Sequence, residues 1–244
     1  MNCLENRVAL VTGASRGTGA SVAELLAERG VDVVINFNSK SRRADEVAER
    51  VRSHGRLGLP IPADLTDEAQ LQTMMQKVRE EFGKLDLLVL NASGGLEKDK
   101  PANYAWKLNV TAQLRAVELG RLLMGTGSRI VFVTSHPAHF YDKTEDLSSY
   151  ETVAHSKHSG EQALRALLPE LAESGLSLVV VSADLIEDTI AAKLLKRADP
   201  KLMTRHSPAS GAFLTVEAFA TAIVNAAMDP LLENGATVLV EATM

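Results

Sequence analysis

The chain has 244 residues, 45% of them hydrophobic, and 26 Lys+Arg against 31 Asp+Glu leave a net charge of −5. That balance gives no general attraction to nucleic acid or anionic membrane, and the single cysteine, Cys3, excludes an internal disulfide and a cysteine-rich metal site. No apolar run approaches the ~18 residues of a membrane span. The first ten residues, MNCLENRVAL, carry no signal-peptide pattern, so a cytoplasmic globular protein is expected.

Short apolar runs alternate with longer amphipathic stretches along the chain. Val8–Thr12 reads as a strand and Ala20–Arg29 as a helix; Val31–Ile35 and Arg43–Ser53 repeat the pair. Leu57–Ile61 is followed by a helix over Asp67–Phe82, whose Leu71, Met74, Met75, Val78 and Phe82 share one helical face. Strand Leu85–Leu90 precedes a long helix over Ala102–Met124. Strand Arg129–Val133 precedes a helix over Thr152–Ser174. Leu176–Ser182, helix Val216–Met228 and a last strand, Thr237–Val240, complete the series. The strands are Val/Ile/Leu-rich and bounded by polar residues, as strands covered on both faces are. Gly30, Gly83 and Gly175 follow their helices, where a left-handed residue is cheapest as glycine.

This alternation predicts an α/β protein: a Rossmann-like, doubly wound, mostly parallel seven-stranded sheet with helices on both faces. No linker, repeat or low-complexity tract interrupts it, so residues 1–244 read as a single domain. Two segments fit the alternation poorly, His136–Ser149 and Ile186–Ala212. Both leave the carboxyl ends of strands, where such sheets bind ligands, and both read as substrate loops. Ser207–Gly211, inside the second, is compatible with a lid.

The most specific local signal is Thr12-Gly13-Ala14-Ser15-Arg16-Gly17-Thr18-Gly19, between the first strand and the first helix. Gly13 allows a tight exit from the strand. Gly17 and Gly19 let backbone approach a pyrophosphate, which then meets a helix N-terminus. Here the sequence resembles the short-chain dehydrogenase/reductase family, whose loop pattern is TGxxxGxG, and the resemblance runs over nearly the whole chain. Asn91-Ala92-Ser93-Gly94 resembles the family's NNAG with one Asn missing. Asp64, Asn109, Ser135 and Lys157 follow in family order at nearly family spacing.

The resemblance implies a nicotinamide cofactor held by Gly13, Ser15, Arg16, Gly17, Thr18 and Gly19 of the loop and by Asn38, Ser39 and Lys40 after the second strand. Asp64 and Leu65, Asn91, Ala92 and Ser93, Lys157, and Ile186 complete that implied set. NAD-selective members usually carry an acid at the end of the second strand; Ile35-Asn36-Phe37-Asn38-Ser39-Lys40 has none. Arg16 with Ser39 and Lys40 suits a 2′-phosphate, so NADPH is favoured over NADH. Lys40, Arg42 and Arg43 also read as a solvated helix start.

By the same resemblance, Asn109, Ser135, a tyrosine and Lys157 form the catalytic set of a carbonyl reductase. The usual element is Tyr-x-x-x-Lys, but Val153 stands four residues before Lys157. The nearest tyrosine, Tyr150, lies seven residues before it, on the same helix face and ~4.5 Å further towards the N-terminus. Tyr150 is therefore the candidate proton donor, with Ser135 or a water relayed through Asn109 as alternatives. A second departure is Ala183-Asp184-Leu185-Ile186 where Pro-Gly is usual; the C-terminal Asp-Gly-Gly is also missing.

His136, His139, His155 and His158 lack a matching carboxylate pattern and read as solvated or site-lining rather than metal ligands. His136 directly follows Ser135 and is a candidate for substrate or proton contact. His155 reads as structural, Tyr104 as packing, and Tyr141 as a surface loop residue. The overall expectation is an NADPH-dependent reductase of a ketone or quinone-like carbonyl, a small-molecule enzyme forming a homodimer or homotetramer. A cofactor-binding sensor or partner protein without redox turnover is the alternative.

Overall fold

The computed structural model describes residues 6–97, 99–144, 150–186, 189–198 and 213–241. Seven strands form one sheet in the order β3-β2-β1-β4-β5-β6-β7. They are β1 Val8–Val11, β2 Asp32–Phe37, β3 Gly58–Pro62, β4 Leu87–Leu90, β5 Arg129–Ser135, β6 Ser177–Ala183 and β7 Thr237–Val240. Every pairing is parallel, so the mostly parallel sheet expected from sequence is parallel throughout these strands. The order reverses between β1 and β4, which register as Ala9 with Leu87 and Val11 with Val89.

Alternation along each strand sends side chains to two separate cores. Ala9, Val11, Val33, Ile35, Val89 and Val131 pack against α1 (Gly17–Glu28), α2 (Ser41–Ser53) and α10 (Val216–Met228). Leu10, Val34, Leu88, Ile130 and Phe132 face α3 (Glu68–Phe82), α5 (Ala112–Gly120) and α7 (Glu151–Arg165). Helix ends follow local chemistry: the Asp67 carboxylate accepts from the Ala69 and Gln70 amides to start α3, and left-handed Gly83 ends it. None of the described helices is long and apolar enough to cross a membrane.

Four expected segments are subdivided. The stretch expected as one helix over Ala102–Met124 comprises a single turn α4 (Tyr104–Trp106), a π-helical segment Lys107–Thr111, α5, and a 3-10 turn Arg121–Leu123. The expected helix Thr152–Ser174 is α7 followed by α8 (Leu168–Glu173), with Pro169 in the first turn of the second. The expected loop His136–Ser149 opens with α6 (His136–His139) and a 3-10 turn Tyr141–Lys143, while 145–149 lie outside the described residues. Helix α9 (Ile190–Ala198) begins the second expected loop; 199–212, with Ser207–Gly211, lie outside the described residues, as does Cys3.

Candidate active site

The strand ends at the β1/β4 switch point are stapled by short polar side chains. Thr12 Oγ1 donates to Val89 O and accepts from the amides of Asn91 and Ala92. Asn91 Nδ2 donates to Thr12 O at 2.9 Å. A buried residue absent from the sequence expectation, Asn36, accepts from Gly13 N and donates to Ala63 O, fixing the loop after β1 to the end of β3. Its signal was an amide in an otherwise apolar strand. Buried polar groups are kept only where they are satisfied.

The loop after β1 leaves a cradle. Gly19 carries no Cβ because one would lie 2.6 Å from Asn91 Nδ2 and 2.7 Å from Gly13 O. Helix α1 begins after Arg16 with no side-chain cap on its first amides, which are free to meet an anion. Arg16 is pulled below the usual arginine range by burial and then by the positive charge of Arg43, with Glu97 opposing. Two guanidinium groups close enough to repel mark a place where a phosphate is favourable. Arg42 is different: its side chain is 93% exposed and paired with Glu46. Of the three cations read as a solvated helix start, Arg43 therefore belongs with Arg16, and Lys40 also lines the cavity.

A single cavity of about 910 Å³ runs from this cradle to β5 and α7. It brings together Gly13, Ser15, Arg16, Gly17, Thr18, Gly19, Asn38, Ser39, Lys40, Asp64, Leu65, Asn91, Ala92, Ser93, Lys157 and Ile186. Ser135 and Tyr150 line its far end. Volume, uncapped helix and paired arginines fit a dinucleotide.

At that far end, Tyr150 immediately precedes α7 and its phenol lies 3.1 Å from Ser135 Oγ. Val153 is 3% exposed and fills the wall between them and the loop after β4. Gly95, at φ +120°, rests on it: a Cβ there would lie 2.6 Å from Ala105 Cβ and 3.1 Å from Val153 Cγ2. The position four before the lysine is thus closed by backbone, and the phenol enters from one turn earlier. Burial pushes the Tyr150 phenol up, with the Ser135 hydrogen bond pulling the other way. Lys157, 8% exposed, is lowered to about 8 by burial, with Glu161 opposing. Lys157 is not among the groups that move Tyr150.

Asn109 sits behind this wall and does not line the cavity. It lies in the π-helical segment, 2% exposed, donating to Gly94 O and Ser156 Oγ and accepting from Gly94 N. Its side chain ties the loop after β4 to α7, so its contribution is to hold that loop and the lysine helix together.

Several expectations about the flanking residues change. His136 turns away from the cavity, its Nδ1 2.8 Å from Ser182 Oγ, because Pro137 and α6 carry the chain over the end of β6. Burial lowers it first, with Asp184 and Glu241 opposing. His155, expected as structural, is exposed, its ring tilted against those of Trp106 and Tyr141. Tyr141 hydrogen-bonds Glu151 at the surface. Tyr104 packs on the core and also lines the cavity, with Lys100 4.9 Å above its ring. Asp184 lines the cavity, its Oδ1 accepting from Leu185 N. The four histidines form no metal-like group; among the described residues one such group exists, Glu24, Glu28 and His54, outside the cavity.

Comparison with known proteins adds an independent line. A family model described as short chain dehydrogenase matches residues 7–199. Hydroxynaphthalene reductase arp2 of Aspergillus fumigatus is 32% identical over 187 residues, covering 73% of this chain and 66% of that protein. A hydroxynaphthalene reductase-like protein Arp2 of Metarhizium guizhouense is 35% identical over 144 residues, 56% of this chain and 53% of that protein. The chain thus spans about half to two thirds of the length of these relatives. A short chain dehydrogenase from Burkholderia cenocepacia J2315, solved in complex with NADP, superposes with TM-score 0.81 at 26% identity, covering 98% of this chain and 97% of that one. The angucycline C-6 ketoreductase LanV with bound NADP gives TM-score 0.80 at 25% identity, over 97% and 94%.

Proposed function

The chain belongs to the short-chain dehydrogenase family, and on that premise we propose that it is an NADPH-dependent reductase of a ketone or quinone-like carbonyl in which Tyr150 supplies the proton. The observation that carries this reading is the 3.1 Å contact between the Tyr150 phenol and Ser135 Oγ. A donor and an orienting hydroxyl side by side present two hydrogen bonds to one carbonyl oxygen. NADPH, when bound, supplies the hydride.

The chain's own residues divide the remaining work. Arg16 and Arg43 would neutralise the 2′-phosphate, and the uncapped first turn of α1 would receive the pyrophosphate. Lys157, buried and lining the cavity, would hold the ribose hydroxyls as a cation. Ser135 orients the carbonyl oxygen. Tyr150, raised by burial, is a neutral phenol at physiological pH and so holds the proton that a new alkoxide needs.

The cavity beyond Ser135 mixes Leu96, Tyr104, Pro137 and Val153 with Lys100, a lining suited to a flat, partly apolar carbonyl compound bearing hydroxyl groups. The reductases of hydroxynaphthalene and angucycline substrates among the similar proteins support the same class. The reading extends to a cytoplasmic, single-domain protein that self-associates as a homodimer or homotetramer. Exposed Trp106 and Leu122, flanking the Asn109 and α5 stretch, support pairing there. A monomeric mass by light scattering would refute the pairing.

The test of function is NADPH oxidation against a panel of aromatic polycyclic ketones and quinones, beside an NADPH binding titration. Turnover on a member of the panel is expected. Tight NADPH binding with no turnover on any member would instead make the protein a cofactor-binding sensor or partner.

A further inference from the structure

One buried carboxylate near the cavity has no part in the chemistry described so far. Glu161 is 1% exposed and lies one helical turn beyond Lys157 on the same face of α7. Its Oε1 accepts from His139 Nδ1 at 2.8 Å and from Arg165 Nε at 2.9 Å. Its Oε2 is buried with no hydrogen-bond partner among the described residues. A buried carboxylate with one lone oxygen is costly unless a positive charge lies within its field.

Arg165 is one such charge, held on Oε1; Lys157, one turn away on the same face, is a second, buried cation of α7. Helix α6 contributes His139, whose ring is spent on Oε1. Arg165 is also committed to Gly235 O and Thr237 Oγ1 of the β7 edge. The 3-10 turn Tyr141–Lys143 places Asp142 near His158 and Tyr141 on Glu151, at the surface. From the π-helical segment and α5, Lys107 is exposed and Arg115 pairs with Glu68 and Glu118. On β5, Arg129 is held by carbonyls of Ala226, Asp229 and Leu232. Among the described residues Glu161 is the carboxylate that acts on Lys157, and it opposes the effect of burial.

Resting on the NADPH reading above, we infer that Glu161 is a positioning residue for Lys157. Its carboxylate, clamped on one oxygen by His139 and Arg165 and unpaired on the other, supplies the counter-charge that keeps the lysine cationic and aimed at the cofactor ribose. The arrangement answers a need created by this sequence. With Val153 rather than a phenol four residues before it, Lys157 has an apolar neighbour at the cavity wall. Burial without a partner would discharge it. His139 arrives through α6, the segment that follows Ser135, so the same departure that brings Tyr150 in also brings the clamp.

The test is Glu161→Gln, read first by NMR titration of the Lys157 ammonium in the cofactor-free protein. The titration should move down by about one pH unit, the range expected for removing a nearby opposite charge. The alkaline limb of NADPH binding should move down with it, leaving affinity at lower pH close to wild type. Thermal melting checks folding, and Glu161→Gln/Arg165→Met should show a smaller downward shift than Glu161→Gln, because losing the positive charge of Arg165 works in the opposite direction. An unmoved Lys157 titration in folded Glu161→Gln, or an upward one in the double variant, overturns the inference. So does failure of both variants to fold, which would assign Glu161 to the scaffold. Wild-type protein that does not bind NADPH breaks the proposed function alone, because the titration is measured without it.

Discussion

The two halves of the sheet are built to different standards of regularity. Around β1, β2, β3 and β4, short polar residues close every strand end: Thr12, Asn36 and Asn91 bond one another's loops, and Gly19 leaves room only for backbone. Around β5, β6 and β7, the residue that should donate a proton is Val153, the chain passes through α6 before α7, and His136 is drawn onto Ser182. The nucleotide side depends on backbone approach, which tolerates little change. The catalytic side depends on where one hydroxyl arrives, and a different segment can deliver it.

If that division holds, changes in the second half should appear in turnover and changes in the first in cofactor affinity. The largest effect is expected for Tyr150→Phe: kcat at least ~100-fold lower, with the Kd for NADPH almost unchanged. Wild-type turnover in this variant, with turnover abolished by Ser135→Ala, would move the proton donor elsewhere. Next comes Gly19→Ala, whose methyl would meet Asn91 Nδ2 and Gly13 O. Overpacking of that kind should weaken NADPH binding roughly 10- to 100-fold and lower Tm. Titration calorimetry and melting curves read both.

A smaller effect separates the two neighbouring arginines. Arg43→Ala should raise the Kd for NADPH about 10-fold and leave that for NADH alone, since it removes one charge-assisted contact to the 2′-phosphate. Arg42→Ala, already paired with Glu46 and open to solvent, should change either by less than ~2-fold. Equal effects at the two positions would break the assignment of Arg43.

The smallest effect is one of pH. Lys157 titrates at about 8 in the fold against 10.5 in the open chain, so between these values the unfolded state binds more protons. Stability at this position therefore rises with pH through that window, and below about 8 the full cost of the buried charge is present. The stability of Lys157→Met relative to wild type should be highest near pH 7 and fall towards pH 10, read by urea unfolding. A gain independent of pH would mean that the lysine is not buried as a cation.

Much of the nucleotide side was legible in the sequence because its signals are local. A strand's apolar run, a glycine loop and a helix start are each set by residues within one or two turns. The cavity gathers the whole expected cofactor set, from Gly13 to Ile186. Arg43 was hidden because a cation at a helix start looks alike whether it meets solvent or a second guanidinium. The catalytic side was half legible. Helix periodicity put Tyr150 on the face of Lys157, but spacing alone left it ~4.5 Å away from the usual place.

What the sequence determined by itself was the alternation of elements, a mostly parallel sheet and the glycine-rich loop after β1, because hydrophobic period and glycine sterics act over short distances. Only the tertiary structure decided how the offset of Tyr150 is met, since that depends on the route of α6 over β6 and on Gly95 pressing against Val153. It also decided that Asn109 faces Gly94 and Ser156 rather than the cavity, through the π-helical turn that no local propensity announces. The charge environment of Lys157 belongs to the same class. Glu161 lies four residues away in sequence, yet its function rests on His139 and Arg165 holding one oxygen and on the burial of the other. Burial is a property of the packed chain, and no pattern of neighbours along the sequence fixes it.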